Sequence, residues 1–186
     1  MLKDYAKADT TDEGRALLQI IHTVAPGANL AFHTSLSTTD SFGQGIQALA
    51  AAGADIIVDD WSYVYPAITS PDAPLNLVDL EPPDGPINQA INVVVNQGIS
   101  YFTSADNNYL PADSQVPGIP IYGHPNNPNA LTIGAVYYGN AKSYSSKTFD
   151  VVVKQGQLEP FSSEGIPDSF KPDVVALDGL AKFPLT

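Results

Sequence analysis

The 186-residue chain contains no cysteine, which excludes disulfides and thiolate metal ligands and leaves the redox compartment open, since many secreted proteins also do without them. It is also poor in positive charge. Eight basic residues against twenty acidic ones leave a formal charge of −12, which repels phosphate backbones and anionic lipid, so no nucleic acid and no membrane is expected as a partner. Nowhere do eighteen apolar residues run together, and Met1 to Asp12 is polar with no apolar signal core, so nothing reads as a span or a leader. No HExxH or similar spacing occurs, and neither a metal nor a cofactor is expected. Internal repeats and low-complexity tracts are absent as well.

With 44% apolar residues the chain can bury a core, and its length suits one domain over 1–186. Thr10-Thr11-Asp12-Glu13 has the form of a capping box. Ala16, Leu17, Ile20, Ile21 and Val24 follow at helical spacing, predicting a helix with one buried face that Pro26-Gly27 stops. Asn29 to Thr34 reads as a short strand, and Thr38 to Ala52 as a helix with Ile46, Leu49 and Ala50 inward and Gly53 as its terminator. Ala54 to Val58 is uniformly apolar, as in a parallel strand covered on both sides. Trp61 to Gly85 is proline-rich and reads as a long surface loop. Pro86 opens a third helix, with Ile87, Ala90, Ile91, Val94 and Val95 inward and Gly98 past its end. Further strands are expected over Ile99 to Thr103, Ala130 to Val136, Phe149 to Val153 and Pro172 to Leu177. This order predicts an α/β fold, a mainly parallel sheet with helices on both faces, built from strands near residues 30, 56, 101 and 133.

Four strings then narrow the class. Val24-Ala25-Pro26-Gly27-Ala28, Thr103-Ser104-Ala105-Asp106-Asn107, Asn129 to Ala135 (NALTIGA), and Phe161-Ser162-Ser163-Glu164-Gly165 with Lys171 to Ala176 (KPDVVA) stand in this order over about 12–179. They resemble the VAPGA, SAGN, VITVGA and FSSxG…KPDVVAPG segments of the subtilase superfamily, the subtilisin-like serine peptidases and the sedolisin serine-carboxyl peptidases. The resemblance implies a subtilisin-like three-layer architecture, incomplete at both ends, peptide-bond hydrolysis as the activity, and a peptide or protein as substrate. It also implies a secreted or cell-envelope bacterial location.

Carried onto this chain, the resemblance puts Glu13 where subtilisins have the general-base histidine and sedolisins a glutamate. The sedolisin partner aspartate, one turn later, is here Leu17, so the orienting acid is unidentified, and a helix-capping carboxylate is the rival role for Glu13. Asn107 falls on the oxyanion asparagine, with Asp106 in the preceding glycine position, where aspartate tolerates positive φ. Asp60, Trp61 and Ser62 fall on the substrate-cleft wall written SISWGG in sedolisins, with Trp61 matching its tryptophan. Glu13, Trp61 and Asn107 are expected to open onto one edge of the sheet. His22 lies nine residues beyond Glu13, on the opposite helix face, and His33 and His124 read as surface or structural residues rather than bases.

No Gly-Thr-Ser string for the nucleophile and no GxSxG elbow is present. Three readings stand: a segment of a serine peptidase, inactive alone; a pseudo-peptidase that binds peptides or proteins; and an unrelated α/β ligand-binding domain, which lacks the expected glycine-rich phosphate turn after its first strand. An incomplete fold implies exposed apolar surface, hence self-association or association with a missing segment.

Overall fold

The computed structural model describes residues 12–34, 38–61, 82–107, 120–145, 150–165 and 169–178. Along the chain they form α1 (Glu13–Val24), α2 (Thr39–Ala51), β1 (Ile56–Val58), α3 (Pro86–Asn96), β2 (Ser100–Ser104), β3 (Leu131–Tyr137), β4 (Lys142–Ser145), β5 (Asp150–Val153) and β6 (Val174–Asp178). Two compact units result, one of Met1–Ile57 with Asp84–Ser100, the other of Val58–Pro83 with Tyr101–Thr186.

In the first unit α2 packs on α3. The Thr38 hydroxyl accepts from the Ser41 amide at 3.2 Å and starts α2, which buries Phe42, Gly43, Gly45 and Ile46. Pro86 takes the first helical position of α3, where its missing N–H costs nothing, and Ile87, Ala90, Ile91 and Val94 then fall on one buried face. Each of these aliphatic side chains contributes about 1.5–3 kcal/mol of burial, with Ala90 below that range. Gly43 is what lets the backbones meet, because a Cβ there would stand 2.8 Å from the Pro86 carbonyl oxygen. Both helices terminate as expected, on Gly53 and Gly98, each at φ +89°.

The start of α1 differs from expectation. Its N-cap is Asp12, whose side chain makes no capping bond and instead takes the Arg15 guanidinium, Nε donating at 3.0 Å; Thr10 lies outside the described residues. Neither does α1 bury a face: Ile20 is 62% and Val24 82% exposed, and Gly14 abuts the Phe32 ring. Helical spacing specifies which stripe would be covered, and nothing among the described residues covers this one. The strand expected over Asn29–Thr34 does not form, His33 alone making a bridge, in keeping with the low strand preference of Asn29 and Ala31.

The main sheet has the order β1-β2-β3-β6. Parallel registers pair Phe102 with Leu131 and Ser104 with Ile133, then Ile133 with Val174 and Tyr137 with Asp178. The fold is therefore α/β, a mainly parallel four-stranded sheet with helices. Its fourth strand is β6 rather than one near residue 30. β1 is not covered on both sides, since only Ile57 is buried while Ile56 and Val58 are exposed. A separate antiparallel hairpin joins β4 to β5, Lys142 opposite Val153. β4 goes unread in the sequence because Lys-Ser-Tyr-Ser offers no apolar alternation. No helix among the described residues is long and apolar enough to cross a membrane.

Candidate functional site

Ligands of open α/β sheets bind beyond the carboxyl ends of the strands, and the second unit puts its polar side chains there. Leaving β1, the Asp59 amide donates to the Phe102 carbonyl at 3.0 Å. Strand alternation turns Asp59 to the same side as buried Ile57, and on β2 it turns Thr103 inward between Tyr101 and Ala105. The third partner, His124, opens a 3-10 turn, His124–Asn126, that is tied to β3 by the Thr132 hydroxyl donating to the Pro125 carbonyl.

Asp59 Oδ1 gathers three donors. The Thr103 hydroxyl donates to it at 3.0 Å, the Trp61 amide at 3.2 Å, and His124 Nε2 lies 3.1 Å away. The same Nε2 is 3.3 Å from Thr103 Oγ1. Because the threonine proton is committed to the carboxylate, both atoms facing Nε2 offer lone pairs, so Nε2 carries a hydrogen. The His124 side chain is 2% and that of Asp59 10% exposed, and Asp59 Oδ2 is buried with no hydrogen-bond partner among the described residues. The carboxylate is thus held through one oxygen alone.

Trp61 is half-buried just beyond this cluster, Asp60 is exposed, and Ser62 lies outside the described residues. At the end of β2, Asp106 is buried in the left-handed region at φ +68°, and Asn107 is exposed. Trp61 and Asn107 therefore follow the carboxyl ends of neighbouring strands. Glu13 is exposed in the first turn of α1, where its charge suits the helix dipole; His22 is exposed, and His33 is half-buried with Nδ1 2.8 Å from the Thr34 carbonyl.

Two buried serines fasten this end of the sheet. Ser162 Oγ accepts from the Ala135 amide at 3.0 Å, and the Ser163 amide donates to the Asp106 carbonyl at 3.0 Å. On the other side of β3, Lys171 Nζ donates at 2.6 Å to both the Ala130 carbonyl and Asp173 Oδ2, which also accepts from the Thr132 amide at 2.7 Å. Partial burial raises the Asp173 pKa, but the Lys171 and Thr132 hydrogen bonds and the lysine charge outweigh it and hold the carboxyl below its ordinary 3.8.

The sequence points to Asp60 and gives His124 only as a surface or structural residue, while Asp59 and Thr103 go unread as site residues. The usable signal was the period of two that carries Asp59 inward with Ile57; no local pattern announces His124. Among the described residues no three His, Cys, Asp or Glu side chains could hold a metal ion together. A cavity of about 260 Å³ lies elsewhere in this unit, lined by Val151, Val153, Leu158, Glu159 and Glu164, and does not touch the cluster.

No family model matches the chain, and no curated protein does. Eleven chains of solved structures match it. One, entitled "Structure of Prenylagaramide maturation protease PagA", is 15% identical with a TM-score of 0.43 over 80% of this chain, which spans 39% of that protein's length.

Proposed function

We propose that these residues form part of a subtilisin- or sedolisin-like serine peptidase, hydrolysing peptide bonds as a whole protein and inactive as the 186 residues alone. One observation carries the reading: three of the four resembling strings, far apart in the chain, are bonded to one another. TSADN ends β2, NALTIGA forms β3, FSSEG holds the Ala135 amide and the Asp106 carbonyl, and KPDVVA lies along β3 as β6. Chance likenesses have no reason to assemble into one sheet end.

In this reading Glu13 is the base, the Asn107 amide the oxyanion donor, and Asp60, Trp61 and Ser62 the wall along which a peptide lies. The attacking serine is supplied from outside these residues, which hold no Gly-Thr-Ser string. The alternative is a pseudo-peptidase that keeps the wall and binds peptides or proteins. Expressing the chain with the coding sequence on either side and offering oxidised insulin B chain separates the two. Cleavage with fluorophosphonate labelling supports the peptidase. Binding without cleavage supports the pseudo-peptidase, and neither binding nor cleavage overturns both.

A further inference from the structure

We propose that Asp59, Thr103 and His124 form a clamp that sets the position of Trp61, which makes His124 a positioning residue for the peptide-facing wall beyond β1. The proposal rests on the peptidase reading for the role of the wall and on the geometry of the second unit for the clamp.

The chain leaves β1 at Val58, and the Trp61 amide finds its acceptor in the side chain of Asp59, 3.2 Å away. That carboxylate is therefore one of the bonds that set the place of Trp61. A lone aspartate at a strand end has several rotamers open to it; this one has Thr103 and His124 on the same oxygen. His124 is itself fixed, since its 3-10 turn is closed by the Asn127 amide on the His124 carbonyl at 2.9 Å and anchored to β3 through Thr132. Oδ2 is buried and has no hydrogen-bond partner among the described residues, so the bonds they give this carboxylate all fall on Oδ1. Taking away His124 leaves a nearly buried carboxylate one donor short, and the cheapest remedy is rotation toward water, which withdraws the acceptor from Trp61. None of the three clamp residues needs to touch substrate.

Trp61 is the sole tryptophan of the chain, so its emission reads the wall directly. His124→Phe keeps an aromatic ring and removes the donor, whereas His124→Gln keeps a side-chain N–H. The expected result for the phenylalanine variant is a red-shifted Trp61 emission, readier acrylamide quenching and about tenfold weaker binding of oxidised insulin B chain, about 1.4 kcal/mol, as Trp61 leaves its place on the wall. The glutamine variant should recover both. Emission and binding unchanged in His124→Phe overturn the clamp. If that variant loses its far-UV helix signal, Thr103→Val decides: it removes one donor at constant volume and must also shift the emission, and no shift overturns the clamp. Emission that moves as expected while the unmodified chain binds no peptide overturns the peptide-facing role through failure of the peptidase reading, and the emission tells this apart from failure of the clamp.

Discussion

Ser162→Ala tests whether the strings truly pack as described. The Ser162 hydroxyl accepts the Ala135 amide at 3.0 Å, and Ser162 is 2% exposed, so water cannot replace the lost oxygen without opening the sheet end. A buried donor left unsatisfied costs about 1–3 kcal/mol, and the small volume removed adds little. For a chain of this size each kcal/mol lowers the melting temperature by about 2–4 °C, so a fall of about 2–12 °C is expected. Urea unfolding followed by Trp61 emission is the assay, because Trp61 and Ser162 belong to the same compact unit. A midpoint displaced by less than about 0.5 kcal/mol, the usual effect of a surface change, would refute the bond and with it the assembly of strings that supports the peptidase reading.

Further outcomes follow from single contacts. Asp173 is held below its ordinary 3.8, so the folded state keeps the charged form longer than the unfolded chain does. Its contribution is present above that value and lost as the pH falls through it toward the lowered one, and Asp173→Asn should flatten the urea midpoint between pH 5 and pH 2, roughly the span in which such carboxylates titrate. Lys171→Met strands both Asp173 and the Ala130 carbonyl and should cost about 1–3 kcal/mol, partial exposure of Asp173 keeping it below the cost of breaking a fully buried pair. Gly43→Ala gains about 1 kcal/mol of helix propensity yet places Cβ 2.8 Å from the Pro86 carbonyl oxygen, and overpacking against backbone at about 1–3 kcal/mol wins, a loss to be read by loss of the far-UV helix signal in urea.

Elements whose signal is local were legible in the sequence. Thr38, Pro86, Gly53 and Gly98 mark helix ends by chemistry within one turn, and α2 and α3 form within a residue or two of the marks. Apolar runs gave β2, β3 and β6 as strands, and aspartate at position 106 was readable as a residue that accepts the left-handed conformation it adopts. What was not legible depends on partners remote in the chain. The stripe Ile20 and Val24 predicts a buried face that no described residue covers, and Ile56 and Val58 look as buried as Ile57 until the sheet shows which side is open. His124 sits 65 residues from Asp59 in a segment without periodicity, so only the folded sheet shows that it is a buried partner rather than a loop histidine.

Incubating the purified 186-residue chain with oxidised insulin B chain, over about pH 3 to pH 8 where an acid- or neutral-working carboxylate base would act, tests the central claim most directly. Neither the chain nor Glu13→Ala is expected to cleave, since acyl transfer needs an attacking serine whatever base and oxyanion donor stand beside it. Cleavage by the unmodified chain that disappears in Glu13→Ala would contradict it, and would make a serine already within these residues, Ser62 or Ser104, the nucleophile.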